Sequence, residues 1–236
     1  MKVLVACERS GKTRDAFIAR GHDAISCDLH PSDAPGPHYQ GDVRDLYGEP
    51  FDLLIAHPDC TYLASSGLHW NHKVPGRAEK TEEALAFVRL LLTWPNTPRK
   101  AIENPIGCIS TRIRKPDQII QPHQFGHDAS KSTCLWLENL PPLTHTQHVA
   151  PRWVCPCDPK DHYQYPGAGP YDCLNCLGAC GPAKPRWANQ TNSGQNRLPP
   201  SADRARIRSE TYDGWSAAMA DQWGPLGPFD ELQDLV

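Results

Sequence analysis

Two residue types suited to covalent and acid–base chemistry follow short apolar runs of this chain. Cys60 comes soon after the run 51–56, and Glu103 lies in the run 101–105. Loops that follow the strands of a parallel sheet are where such sheets hold their ligands. A thiol and a carboxyl in those positions predict a nucleophile and an acid that face one substrate. For a single cysteine, the alternative is a small buried hydrophobic residue.

The pattern along the chain predicts the elements that position these side chains. Apolar runs alternate with helical patterns through residue 138, which predicts an α/β fold with a Rossmann-like, doubly wound, mostly parallel sheet. The predicted strands are 3–6, 23–28, 51–56 and 101–105, and the predicted helices are 11–20 and 77–94. Residues 124–126 and 133–137 suggest a strand pair, and a helical pattern returns over 201–223.

Composition limits the function classes. The 236 residues carry a formal charge of −3, which argues against a general nucleic-acid binder, although basic residues gather at 112–115 and 197–208. No apolar run reaches about 18 residues, so no membrane span is predicted. The 24 prolines concentrate after residue 140, which makes the earlier part the more regular one. The first residues read as a strand and not as a signal peptide.

Five of the 10 cysteines cluster and predict a metal site. They are Cys155, Cys157, Cys173, Cys176 and Cys180, with His162 between them. Soft ligands at this spacing fit a tetrahedral structural zinc, which needs four of the six. A disulfide framework is the alternative. The scattered remaining cysteines and the missing export signal instead favour a reducing cytoplasm.

A turn and two aspartates predict a cofactor site. Residues 6–11 join the first strand to a helix, as in sites where a backbone approaches a nucleotide. Asp28 ends the second strand about 20 residues later, where a carboxylate can bind ribose hydroxyls. Asp42 closes the next strand-like stretch. Each aspartate alone could be a turn former or a helix cap, but together they favour an adenosine cofactor.

The order of these motifs resembles the C5-cytosine DNA methyltransferase family, in particular its short phage-encoded branch. Residues 6–11 resemble the first cofactor motif, and Asp28 and Asp42 match the second and third. Residues 58–60 resemble the Pro-Pro-Cys nucleophile loop, and 103–105 resemble the Glu-Asn-Val motif. Residues 124–133 stand where the family has a Gln-x-Arg element, and 210–215 resemble its final motif. The resemblance covers 1–140 and 190–224.

The resemblance implies a class I methyltransferase fold, S-adenosylmethionine as the cofactor and double-stranded DNA as the partner. Cys60 would add to C6 of a flipped-out cytosine, Glu103 would contact N3, and Asn104 would orient the loop. Lys131 would supply the cation of the Gln-x-Arg element. The implied cofactor contacts are Ala6, Cys7, Glu8, Ser10, Gly11, Asp28, Leu29, Asp42, Val43, His57 and Pro58.

Two departures from the family pattern leave the transferred group open. Asp59 replaces the second proline of the nucleophile loop, and a carboxylate beside a thiol raises the thiol pKa unless it points away. Residues 7–10, Cys-Glu-Arg-Ser, replace the glycine-rich cofactor motif. A related enzyme with a variant methyl donor or a free nucleotide substrate stays open. So does a non-catalytic DNA-binding protein that counters host restriction.

The predicted domain organisation has four parts. These are a catalytic core at 1–140, a zinc-bearing insertion at 141–200, a returning helix at 201–224 and an acidic tail at 225–236. In the family, the position of the insertion holds the target-recognition region. The residues predicted to contact DNA there are Arg186, Gln195, Asn196 and Arg197, with a plain linker as the alternative. We expect a cytoplasmic protein, in the host cell if a phage encodes it.

Overall fold

The structure is a computed structural model, and it describes residues 1–155, 181–201, 204–209 and 211–228. Contacts between residues group the chain into two compact units. The first unit comprises Met1–Ile120, Ser132–Thr144 and Thr211–Val236, and the second comprises Gln121–Lys131 and His145–Glu210, each as far as it is described. The segment Gln121–Lys131 therefore groups with the second unit, although it lies within the range 1–140.

Among the described residues of the first unit, seven strands form one sheet. The strands are β1 Lys2–Ala6, β2 Asp23–Asp28, β3 His38–Gln40, β4 Leu53–Ala56, β5 Arg99–Pro105, β6 Gln118–Ile120 and β7 Thr133–Glu138. Their order is β3-β2-β1-β4-β5-β7-β6. The first five strands are parallel, and β7 is antiparallel to β5 and β6. The predicted α/β class with a mostly parallel sheet is confirmed.

Helices connect the strands. In chain order they are α1 Lys12–Ile18, α2 Ser65–Leu68, α3 Arg77–Leu92, α4 Ile109–Arg112, α5 Arg204–Ser209 and α6 Asp213–Trp223. Short 3₁₀ helices lie at Val43–Leu46, His69–His72, Pro122–Gln124 and Gly224–Leu226. In the part of the chain that the structure describes, none of the helices combines the length and the apolar character needed to cross a bilayer.

The core of the first unit explains why the central strands are continuous apolar runs. β4 is buried at every position, and so is β1 after Lys2, because both faces of a central parallel strand are covered. One stripe of α3, Leu85, Val88 and Leu91, is fully buried in this core, as its helical spacing predicts.

The last described helix of the first unit packs against the first one. The Thr13 and Ser216 hydroxyls lie 3.1 Å apart and join α1 to α6 in a buried hydrogen bond. The Arg20 guanidinium binds the Asp221 carboxylate at the exposed end of the same contact. Residues near the start of the chain are therefore joined to residues more than 200 positions later.

Three sequence-based boundaries are wrong. The strand that pairs with β7 is β6, not 124–126, because Pro122 lacks a backbone N–H and opens a 3₁₀ turn there. The third strand ends at Gln40, so Asp42 does not close a strand; it caps the 3₁₀ helix that follows. The single helical pattern over 201–223 is two helices, α5 and α6.

Candidate active site

Cys60 lies in a tight turn that follows β4. Its carbonyl accepts hydrogen bonds from the backbone N–H groups of Leu63 and Ala64, at 3.0 and 2.9 Å. The side chain is partly exposed. The neighbouring Asp59 carboxylate accepts from both the N–H and the hydroxyl of Thr61, at 2.9 and 2.7 Å. The carboxylate that replaces the family's proline is thus bonded to the residue that follows the thiol.

The Cys60 turn is joined to the loop that follows β5. The N–H of Ser65 donates to the Ile106 carbonyl at 3.0 Å, and the N–H of Cys108 donates to the Leu63 carbonyl at 2.9 Å. The two backbones approach so closely at Gly107 that a Cβ there would lie 1.9 Å from the Leu63 oxygen. A glycine is therefore required at this position, and the two loops are fixed relative to each other.

Side chains continue the pairing of β4 with β5 beyond the point where backbone pairing ends. The register pairs Ala56 with Ile102, and the N–H of His57 bonds to the Ala6 carbonyl of β1 at 3.0 Å. One residue further, the Pro58 carbonyl accepts from Asn104 Nδ2 at 2.7 Å in a buried bond. The buried Asn104 side chain thus holds the start of the segment that carries Cys60.

Glu103 and His57 form a second contact between these strand ends. His57 Nδ1 lies 2.9 Å from Glu103 Oε2, and each side chain is 9% exposed. The sequence grouped His57 with the cofactor contacts, whereas its ring is paired with the predicted catalytic carboxyl. No sequence signal could have revealed this, because a single histidine after a strand has no characteristic spacing.

A side chain of the turn after β1 accepts hydrogen bonds from the first turn of α1. Glu8 is buried, and its carboxylate accepts from the N–H groups of Thr13 and Arg14 at 2.7 and 3.2 Å, and from the Ser10 hydroxyl at 3.4 Å. Gly11 begins α1 with a φ of 75°. Glu8 therefore occupies the N-terminus of α1, the position at which a nucleotide phosphate binds in many doubly wound folds.

Cys7 lies among carboxylates at the ends of the strands. It has a φ of 57°, which is rare for a residue other than glycine and marks a strained turn. Burial raises the pKa of its thiol, and the charges of Asp28, Asp42 and Asp59 raise it further. Negative charges at the end of β2 and in the segments after β3 and β4 thus act on one point, the Cys7 thiol.

The residues predicted to bind the adenosine differ in their exposure and in the hydrogen bonds that they already make. Asp28 ends β2, and its carboxylate accepts from the backbone N–H two residues later, while Leu29 is 69% exposed. Both oxygens of Asp42 bind the guanidinium of Arg44, which holds the pKa of that carboxyl below its usual range. Val43 is buried, so its contribution would come from its backbone.

The second unit carries Lys131 and the four predicted DNA contacts. In this unit β8 Arg152–Val154 and β9 Lys184–Arg186 form a two-stranded sheet. The side chains of Arg152 and Arg186 donate hydrogen bonds to backbone carbonyls of the loop 189–197. In that loop Gln195 and Arg197 are exposed, whereas the side-chain oxygen of Asn196 accepts from the N–H of Leu198 at 2.8 Å. The N–H of Lys131 bonds to the Gln121 side chain within the same unit.

The predicted zinc ligands fall mostly outside the described residues. Cys157, Cys173, Cys176 and Cys180 lie there, together with His162. Cys155, which follows β8, is buried. The residues that are described contain no group of three or more side chains able to hold a metal ion. The zinc site stays a prediction.

Comparisons with solved structures return proteins of low sequence identity. One is a protein from E. coli described as a DNA modification methyltransferase encoded within a prophage, at 13% identity and a TM-score of 0.37. Its match covers 58% of this chain and 46% of the other. The methyltransferase EhMeth of Entamoeba histolytica has 15% identity and a TM-score of 0.44, with 64% and 58% covered. The 16S rRNA methylase RmtB has 17% identity and a TM-score of 0.31, with 58% and 55% covered.

This chain spans about half the length of the solved structures that it matches. No family model matches it, and neither does any curated protein. The function therefore has to be inferred from the residues of the candidate site.

Proposed function

We propose that this protein is a DNA cytosine C5-methyltransferase that uses S-adenosylmethionine and forms a covalent adduct through Cys60. The observation that carries this proposal is the bond from Asn104 to the Pro58 carbonyl, at 2.7 Å. It ties the Glu103–Asn104 strand end to the segment that carries the thiol. A nucleophile and an acid on two loops that are bonded to each other can act on one small planar substrate.

These residues match what cytosine requires. C5 of cytosine is a poor nucleophile until a thiolate adds to C6, and a soft sulfur both adds and leaves readily. Glu103 would contact N3 and supply the proton that the ring accepts on addition, while Asn104 holds the loop. The ring face is inaccessible in stacked DNA, so the base has to be flipped out. S-adenosylmethionine, when bound, supplies an electrophilic methyl group.

The cofactor-side residues fit a donor that has a positive charge and no phosphate. Glu8 occupies the N-terminus of α1, so a phosphate there would meet a buried carboxylate. The carboxylates of Asp28, Asp42 and Asp59 act electrostatically on Cys7, and negative charge there favours a sulfonium cation. The same charges disfavour a variant donor that carries an additional carboxylate. Asp28 and the exposed Leu29 would hold the adenosine.

The charge distribution in the second unit supports a polyanionic partner. Burial and the neighbouring charges of Arg197 and Arg186 lower the pKa of Arg152, and Asp128 opposes them. Cations that converge in this way repel one another, and an anion such as a DNA backbone would relieve that repulsion. Arg186, Gln195, Asn196 and Arg197 are therefore the proposed DNA contacts, and Lys131 is a further proposed cation of the same unit.

The test is mass spectrometry of nucleosides from the DNA of cells that express the chain. We expect 5-methyldeoxycytidine with the natural sequence and none with Cys60→Ala, although Cys60→Ala should still bind DNA. Cys108→Ala, which removes a buried thiol in another loop, serves as the matched control and should keep activity. Full methylation by Cys60→Ala, or a different modified cytosine, would contradict the proposal.

A further inference from the structure

His57 is placed to act on Glu103 by the register of two parallel strands. Ala56 pairs with Ile102, so His57, the first residue after β4, is the next residue in register with Glu103 of β5. Their side chains meet at 2.9 Å, His57 Nδ1 to Glu103 Oε2, and both are nine-tenths buried. A buried bond between side chains at this distance holds both groups in one orientation.

The surroundings of the ring fit a tautomer with hydrogen on Nδ1. His57 Nε2 is buried and has no hydrogen-bond partner among the described residues. A hydrogen on Nε2 would therefore be buried there without an acceptor. A neutral ring with its hydrogen on Nδ1 leaves only a lone pair at Nε2 and lets Nδ1–H donate to the Glu103 oxygen.

We propose that His57 is the positioning residue of Glu103: it donates Nδ1–H to Oε2 and thereby stabilises the carboxylate that Glu103 becomes when it protonates the base. This inference rests on the proposed function. As the Cys60 sulfur bonds to C6, the π electron pair of C5=C6 shifts through the ring to N3. The Oε1–H bond of Glu103 breaks and an N3–H bond forms. The negative charge thus moves from the thiolate to the carboxylate that His57 holds.

Cys134 is a titratable group on the strand next to β5. On β7, which is antiparallel to β5, Cys134 is level with Asn104. Burial raises the pKa of the Cys134 thiol, and Glu103 raises it further in its carboxylate form. Cys134 therefore stays a neutral thiol at ordinary pH.

Two variants of His57 separate positioning from simple packing. His57→Asn keeps an N–H donor near the position of Nδ1, whereas His57→Leu fills the space without a donor. We expect kcat to fall roughly 100-fold in His57→Leu and to be largely restored in His57→Asn, because one preorganised donor has an effect of this size. KM for DNA should change little in either variant.

The pH dependence gives a readout that packing alone would not move. A hydrogen bond to the charged form of a carboxyl lowers its pKa, so removal of the donor raises the pKa of Glu103. The alkaline limb of kcat, where Glu103 loses its proton, should shift to higher pH in His57→Leu and stay in place in His57→Asn. Equal shifts in the two variants would overturn the proposal.

The pair can also be tested without any enzymatic activity. The Glu103 carboxyl is followed by carbon NMR in protein labelled at glutamate, with Glu103→Gln for assignment. We expect a higher titration midpoint in His57→Leu, or in His57→Ala if the leucine variant does not fold. An unchanged midpoint would refute the positioning role. If the natural protein modified no cytosine, the proposed function would fail, while this titration would still decide the role of His57.

Discussion

At the scale of single residues, Asn104 links acid and nucleophile. Pro58 ends the backbone pairing of β4, because its ring carries no N–H, yet its carbonyl is buried and still needs a donor. Asn104 Nδ2 supplies it at 2.7 Å. Where the chain leaves β4 towards Cys60, the buried Pro58 carbonyl therefore needs a hydrogen-bond donor, and the Asn104 amide on β5 provides it.

Replacement of Asn104 by Asp should damage both stability and catalysis. The carboxylate would face the Pro58 carbonyl without a donor, and we expect a loss of about 1–3 kcal/mol in unfolding free energy together with a large fall in kcat. Asn96→Asp is the control, because Asn96 makes the same kind of bond to the Gly48 carbonyl at an exposed site. Urea unfolding measures both variants. Equal losses would show that burial of the Asn104 bond is unimportant.

At the scale of elements, one buried arginine organises the segment between β2 and β3. The Arg14 side chain on α1 is fully buried. Its guanidinium donates to the carbonyls of Pro35, Ala34 and Pro37 and to the hydroxyls of Ser26 and Ser32. This segment follows Asp28 and Leu29, so Arg14 shapes one wall of the proposed cofactor site.

The spacing of Arg14 in the sequence does not reveal this role, because an arginine on a short helix normally faces solvent. Two glycines, one close to Arg14 in the sequence and one 22 residues later, leave room for its guanidinium. A Cβ at Gly11 would lie 2.5 Å from Arg14 Nη2, and a Cβ at Gly36 would lie 2.8 Å from Cζ. Both glycines also have positive φ angles.

Arg14→Lys should therefore be costly although it conserves charge. A lysine ammonium cannot reproduce the planar fork, so several carbonyls would lose their donor, and we expect a loss of roughly 2–4 kcal/mol in stability. Affinity for S-adenosylmethionine, measured by calorimetry, should fall as well. Arg20→Lys is the matched control at the end of the same helix, where the exposed pair with Asp221 contributes less than about 1 kcal/mol. Similar losses in both variants would contradict the structural role of Arg14.

The cysteine cluster can be tested as an element of its own. We expect close to one zinc per chain by elemental analysis, since four thiolate or imidazole ligands complete a structural site. Cys155→Ser combined with Cys157→Ser should lose the metal, and Cys27→Ser should retain it. Cys27 is a suitable control because it is buried in β2 and its thiol pKa is raised to about 12 by burial and nearby aspartates. A folded, metal-free natural protein would rule the site out.

At the scale of the whole molecule, the sequence predicts the sheet better than it predicts the site. The apolar runs of β1, β2, β4 and β5 are visible because central parallel strands are buried on both faces. The β6 strand was missed, since three residues, Gln118–Ile120, give too short a pattern. The residue types at the strand ends, Cys60 and Glu103, were also visible. The contacts beside them, His57 with Glu103 and the Pro58 carbonyl with Asn104, depend on register and were not visible in the sequence.

The charge of the whole molecule and the local charge of the second unit predict opposite behaviours towards DNA. A net charge of −3 disfavours binding, whereas Arg152, Arg186 and Arg197 concentrate positive charge in one region. If the local charge determines DNA binding, the affinity for duplex DNA should fall steeply as salt increases. The slope of log K against log salt should be about −0.9 for each phosphate contacted.

Arg197→Ala should therefore reduce the slope of log K against log salt by about one contact, and Arg197→Lys should largely preserve it. Arg89→Ala removes an exposed arginine of α3 in the first unit and is the control for net charge alone. Fluorescence anisotropy with a cytosine-containing duplex over a range of salt concentrations gives these slopes. If Arg89→Ala reduces the slope as much as Arg197→Ala does, overall charge governs binding and the proposed contact at Arg197 is wrong, because only a local contact releases its own counterion.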